Sequence, residues 1–130
     1  MHVFFYIPVI DKRSEANRKI VENAAHAAHT EVFSSIEDLA GGLRRVLFGD
    51  TITVLYAPRV KDFQALFSIK ELLQEVYVLL MLPDRKESTI SKGHILRPRF
   101  LTFVDADLVN VGLVLTKMIE TYGKNAGAEQ

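Results

Sequence analysis

The stretch TITVLYA, residues 51–57, decides the fold. It is almost continuously apolar and rich in β-branched residues, and it carries no charged side chain. A strand of this composition is covered on both faces, which is typical of a parallel sheet between two layers of helices. A second run of this kind, VYVLLML at 76–82, ends at Pro83. The two runs predict central strands of one parallel sheet.

Outward from these runs, strand-like and helix-like periodicities alternate along the chain. The pattern predicts strands at 2–9, 31–33, 51–57, 76–82 and 99–104, and helices at 14–29, 36–47, 60–74, 84–93 and 106–122. Such alternation indicates parallel βαβ units with right-handed crossovers. We therefore predict an α/β fold, a three-layer α/β/α sandwich whose five-stranded parallel sheet has the order 2-1-3-4-5, as in flavodoxin-like proteins.

One domain accounts for most of the chain. Residues 1–122 are predicted to form it, and the small, polar tail 123–130 is predicted to be disordered. Gly41 and Gly42 fall inside the second helix, where each is expected to weaken it by up to about 1 kcal/mol relative to alanine.

Composition excludes several classes of function. The 130 residues carry 16 Lys and Arg against 16 Asp and Glu, so a nucleic-acid partner is not expected. The absence of cysteine excludes disulfides, thiol catalysis and Cys-based zinc sites. The apolar run 76–82 is too short to span a bilayer, and the N-terminal apolar run lacks the preceding charges of a signal peptide. We expect a cytoplasmic protein with no membrane partner.

In the predicted topology, ligands bind at the carboxyl ends of strands one and three, where the strand order reverses. The loops there carry four cations, Lys12, Arg13, Arg59 and Lys61. Together these cations can hold an anionic ligand such as a nucleotide or a phosphate. Asp11 and Asp62 partly cancel the charge, and ordinary solvated loops are the alternative interpretation. No nucleotide-binding or nucleophile motif accompanies them, so we expect no cofactor and favour a non-enzyme.

A group of metal-ligating residue types falls on one face of the predicted first helix. Glu22, His26 and His29 lie opposite its apolar stripe, and two imidazoles with a carboxylate can bind Zn²⁺. The spacing is loose and no fourth ligand is evident. We interpret the group as a solvated polar face and predict no metal site.

The last predicted helix carries apolar residues away from its core stripe. Val109 and Leu113 lie well off the stripe, and Val114 lies at its edge. Apolar residues on a solvent-facing side favour a protein contact, and we predict a homodimer through this helix. The alternative is that single exposed apolar residues are common.

Two stretches resemble the receiver domain of two-component response regulators. ITVLYAP (52–58) resembles the receiver strand that carries the phosphorylated aspartate, with Tyr56 in that place. GHILRPRFLTFVDADLVNVGLVLTKMI (93–119) resembles the last strand and helix, and the overall pattern covers residues 2–122. The resemblance implies a partner surface around helix four, strand five and helix five.

The phosphorylation machinery of receivers does not carry over. Receivers have two acids after the first strand that bind Mg²⁺, and Ile7 and Pro8 stand in their place here, with Asp11 as the one acid nearby in the sequence. Receivers have a Ser or Thr after strand four, and Met81 or Leu82 stands in that place here. They have a lysine after strand five, and Phe103 or Val104 stands in that place. The resemblance therefore implies a pseudo-receiver, a non-catalytic regulatory module for signal transduction through protein contacts.

A flavodoxin-like fold without receiver ancestry is the alternative for the family. For function, the alternative is a small-molecule binder or enzyme that uses the basic loops.

Overall fold

The computed structural model describes residues 1–26, 28–46 and 50–128, with the backbone alone described at 124–128. The strands are β1 (His2–Tyr6), β2 (His29–Phe33), β3 (Thr51–Tyr56), β4 (Tyr77–Leu82) and β5 (Phe100–Phe103). The helices are α1 (Lys12–Ala24), α2 (Ile36–Arg45), α3 (Val60–Leu66), α4 (Lys70–Leu73), α5 (Glu87–Ile95) and α6 (Leu108–Ala128). A 3₁₀ turn, Phe67–Ile69, joins α3 to α4. Ala27 and Leu47, which the predicted helices include, lie outside the described residues, as do positions 129 and 130 of the predicted tail.

The strands form one parallel sheet in the order β2-β1-β3-β4-β5. The predicted fold class, sheet and strand order are therefore confirmed. Every residue of β3 is buried, as the composition of 51–57 indicates. The strand lies between β1 and β4, where both of its edges are paired and both of its faces are covered.

The sheet separates two apolar cores. Alternate strand residues such as Leu55 and Leu80 pack with α2, α3 and α4 on one face. Their neighbours Val54 and Leu79 pack with α1 and α6 on the other. Successive side chains of a strand point to opposite faces, so each buried strand supplies both cores.

Several element boundaries differ from the predicted ones. β1 ends at Tyr6, two residues before Pro8. Proline has no amide hydrogen to donate to a strand ladder. The first helix ends at Ala24, and His29, which the predicted helix includes, instead begins β2 in register with His2. The third predicted helix is divided by the 3₁₀ turn. The last helix continues to Ala128, past its predicted end at Tyr122. The predicted disorder of the tail concerns its motion and stays a prediction.

Among the helices of the described residues, none is both long enough and apolar enough to cross a bilayer. The cytoplasmic localisation stays a prediction.

Candidate functional site

Buried aromatic and aliphatic side chains line the carboxyl edge of the sheet. Tyr56, at the end of β3, is 1% exposed and packs in one core with Ile7 and Met81. Leu82, at the end of β4, is buried in the opposite core. Burial, reinforced by the charge of Asp11, raises the pKa of Tyr56, so its phenol is neutral at pH 7. A neutral phenol among apolar neighbours offers none of the carboxylate oxygens by which Mg²⁺ is usually held.

Asp11, the first acid after β1 in the chain, serves as a helix cap. Its carboxylate accepts the backbone N–H of Ser14 at 2.8 Å, and the Ser14 hydroxyl accepts the N–H of Asp11 at 2.8 Å. This reciprocal pair begins α1 by satisfying donors that have no partner within the helix. The cap explains Asp11 without any ligand.

Arg59 is held by a buried carboxylate in the first turn of α3. Its Nε lies 2.7 Å from Oδ2 of Asp62 and its Nη2 lies 2.8 Å from Oδ1, a bidentate pair. The backbone N–H of Arg59 also donates to Asp62, at 3.2 Å. Asp62 is 5% exposed, so the pair satisfies a carboxylate that has little access to water. Burial raises the pKa of the neighbouring Tyr6 to about 12, and the charge of Asp62 adds to this effect.

Two other arginines contact the β5–α6 segment. Nη1 of Arg13 donates to the carbonyl oxygen of Val104 at 2.9 Å. Nη1 of Arg85 lies 2.8 Å from Oδ2 of Asp105, and its guanidinium carbon lies 4.4 Å from the ring centroid of Phe103. The Arg85 guanidinium lowers the pKa of Asp105. The face of Phe103 is thus covered by a cation that is already paired.

The four predicted anion-binding cations do not have the same surroundings. Arg59 pairs with Asp62, whereas Arg13 binds a carbonyl of the β5–α6 segment. Lys12 and Lys61 are exposed. Two of the four cations thus donate to partners within the chain, and the anion-binding hypothesis stays a prediction.

The face formed by α1 and α6 carries two of the three predicted interface residues at its surface. Val109 and Leu113 are 65% and 64% exposed. They border a shallow depression of about 310 Å³ that is lined also by Ile20, Asn23, Ala24, Gly112 and Thr116. Val114 is half-buried and packs against the core beneath α6. Gly112 lies where α6 packs against α1, since a Cβ added there would lie 3.1 Å from Cγ2 of Ile20.

A groove of about 530 Å³ between α3 and α5 was missed by the sequence reasoning. The rings of Phe63 and Phe67 meet edge to face in its wall, with centroids 5.2 Å apart. Val60 and Ile95 are exposed apolar residues that line it, and Lys86 and Lys92 bring positive charge. The signal available beforehand was the spacing of Val60, Phe63 and Phe67, which places the three side chains on one face of the predicted third helix.

The histidines are grouped differently from the sequence interpretation. His29 lies in β2 rather than on the first helix, so it does not share a face with Glu22 and His26. It lies beside His2 of β1 and Glu31 of its own strand, at the amino edge of the sheet. The strand register brings His2 and His29 together, and spacing within one helix cannot reveal that.

Comparison with protein-family models gives no match, and comparison with curated protein sequences gives none either. Proposals about function therefore depend on the side chains and their geometry.

Proposed function

We propose that this chain is a non-catalytic, receiver-like regulatory module that acts through protein contacts, with a second copy of itself as the partner. The observation that carries the proposal is the α1/α6 face. Two large apolar side chains, Val109 and Leu113, project there with about two-thirds of their surface exposed. They lie one helical turn apart and border the depression around Gly112. Projecting apolar residues at a contiguous patch favour an interface.

The shape of this face supports a second copy as its occupant. A two-fold dimer uses the same patch on both subunits, so the patch must complement itself. The α1/α6 face carries both parts of such a contact, since the side chains that project stand beside a depression. Leu113 of one copy is expected to enter the depression of the other.

The carboxyl edge supports a role without phosphoryl chemistry. At the receiver positions stand Tyr56, Met81 and Leu82, all buried. Asp11, the first acid after β1, is engaged as a helix cap, and Asp62 is paired with Arg59. A module that keeps the fold without the acidic site is expected to act by contact alone.

Sedimentation equilibrium tests the dimer. The full chain is expected to sediment at twice its monomer mass of 14.7 kDa. The double variant Val109→Asp, Leu113→Asp is expected to be a folded monomer, because two charges would be buried without partners in the interface. The matched control is Val60→Asp, Ile95→Asp, which places charges at two exposed apolar residues of the α3/α5 groove and should leave the dimer intact. A monomeric wild type, or a double variant that stays dimeric, would contradict the proposal.

The α3/α5 groove favours a second candidate function, the binding of a small molecule that has an apolar body and an anionic group. Its volume of about 530 Å³ lies within the range of small-molecule pockets. Phe63 and Phe67 provide an apolar wall, and the two lysines Lys86 and Lys92 outnumber the one lining carboxylate, Asp84, so the groove favours a negative charge. This candidate takes over the anionic-ligand alternative of the sequence analysis but moves the binding site from the loops to the groove.

A fluorescent probe tests this second candidate. The anionic dye 1-anilinonaphthalene-8-sulfonate should bind the full chain, and Ile95→Asp should abolish most of the fluorescence gain. The Val109→Asp variant, whose charge lies on the other face, should bind the dye normally. Equal binding by both variants, or no binding by the wild type, would exclude the groove as the ligand site.

A further inference from the structure

We propose that His2, His29 and Glu31 bind a divalent transition-metal ion of the zinc type at the amino edge of the sheet. His2 and His29 are partners in the register of β1 and β2, and their rings meet edge to face with centroids 5.2 Å apart. Partners on neighbouring strands project from the same face, and so do residues two apart on one strand. Glu31, two residues after His29, therefore joins the same group.

The donor atoms lie close enough for one ion. One ligand atom from each of the three residues lies within 4.8 Å of the others. Nε2 of His29 lies 3.8 Å from Oε2 of Glu31. Ligand atoms about 2.0–2.2 Å from a tetrahedral Zn²⁺ are separated by roughly 3.3–3.6 Å. The His29 side chain is 64% exposed, so rotation of its side chain can close the remaining distance without moving the strands.

The chemistry of the three donors matches zinc-type metals. Two imidazoles and one carboxylate form a common three-ligand zinc set, in which water occupies the fourth position. Nδ1 of His2 is buried and has no hydrogen-bond partner among the described residues. A buried ring nitrogen without a partner costs free energy. If Nδ1 were the coordinating atom, metal binding would satisfy it.

Arg45 supplies a distinctive test of this geometry. Its Nη2 lies 3.2 Å from Oε1 of Glu31, while the other oxygen, Oε2, faces His29. The guanidinium repels a metal ion and competes for the same carboxylate. Removing the charge by Arg45→Gln is therefore expected to strengthen metal binding several-fold. If Glu31 were not a metal ligand, replacing Arg45 would not strengthen metal binding.

Binding would join the edge strand β2 to β1. The ion would cross-link two strands that are already paired by their backbone ladder. Because the site requires the strand register, the unfolded chain would not form it, and the metal should raise the melting temperature.

Isothermal titration of the full, untagged chain with ZnCl₂ at pH 7.5 tests the proposal. One site per chain is expected, with affinity at least tenfold weaker in His29→Gln and in His2→Ala. The chain contains two further histidines, and the matched controls His26→Ala and His94→Ala should retain wild-type affinity. Visible absorption of the Co²⁺ complex provides a second measurement, and its ligand-field bands should disappear in His29→Gln.

Three results would overturn the proposal. The first is the absence of saturable Zn²⁺ binding by the wild type. The second is unchanged affinity in a folded His29→Gln, a substitution that the exposure of this side chain should tolerate. The third is loss of binding in His26→Ala or His94→Ala, which would place the ion elsewhere.

Discussion

Asp62 determines what Arg59 is able to bind. Its carboxylate accepts two hydrogen bonds from the Arg59 guanidinium and a third from the Arg59 backbone, and it is almost fully buried. An anionic ligand would have to displace this carboxylate and leave it without a partner away from water. Leaving a buried charged group unsatisfied costs more than about 1–3 kcal/mol. The pair therefore favours a structural role for Arg59 at the start of α3.

Tyr6, which neighbours the Arg59–Asp62 pair, predicts a loss of stability at alkaline pH. Burial raises the pKa of Tyr6 from 10.0 to about 12 in the folded protein. Between these values the unfolded chain has released the proton that the folded chain still holds, so the free energy of unfolding falls as pH rises. Below pH 10 this contribution is fully present. Urea denaturation at a series of pH values between about 9 and 12 should show this decline, and Tyr6→Phe should reduce its slope.

A spectroscopic titration checks the assignment. Tyrosinate absorbance at 295 nm should show one fewer late-titrating phenol in Tyr6→Phe than in the wild type, because the buried Tyr56 keeps its raised pKa in both proteins. An identical decline in stability and an identical titration in the two proteins would show that Tyr6 is not the group responsible.

At the scale of elements, two adjacent glycines of α2 have different roles. The helix continues through both, from Ile36 to Arg45, so neither glycine ends it. A Cβ added to Gly41 would meet nothing within 4 Å. A Cβ added to Gly42 would lie 2.5 Å from Cζ of Phe33, whose ring packs edge to face on Phe4. Gly42 thus allows α2 to approach β2 closely, whereas Gly41 lies at the surface.

The two glycines should therefore respond oppositely to alanine. Gly41→Ala is expected to stabilise the protein by about 0.5–1 kcal/mol, because alanine loses less conformational freedom in a helix. Gly42→Ala is expected to destabilise it by about 1–3 kcal/mol, because the aromatic ring must move within a packed core. Chemical denaturation of the two variants measures both effects. Stabilisation by both substitutions would show that Phe33 can move aside at little cost.

At the scale of the whole molecule, two apolar surfaces lie on opposite sides of the sheet. The α1/α6 face carries Val109 and Leu113, and the groove between α3 and α5 carries Val60 and Ile95. Since a sheet and two cores separate them, a charge introduced on one side should not affect the other. Each pair of variants is thus a control for the other.

Self-association has a further consequence at this scale. Because only folded subunits associate into a dimer, the melting temperature of a dimer rises with protein concentration. The wild type is expected to show this rise, and the Val109→Asp, Leu113→Asp variant is expected to show none. A melting temperature independent of concentration in the wild type would contradict the dimer.

The architecture was predictable because it depends on properties that are averaged over whole elements. Buried strands such as 51–57, separated by helical periodicities, indicate a parallel sheet, and right-handed crossovers leave few possible strand orders. The exposure of Val109 and Leu113 was predictable for the same reason, since each lies off the apolar stripe of a single long helix.

The pairing of side chains was decided by tertiary structure alone. Arg13 contacts Val104, 91 positions away, because α1 packs beside the β5–α6 segment. His2 and His29 meet because the register of β1 and β2 aligns them, and the α3/α5 groove exists because two helices leave space between them. Periodicity reports which face of an element is buried. It contains no information on which residue of another element lies opposite, and that depends on register and packing across the whole fold.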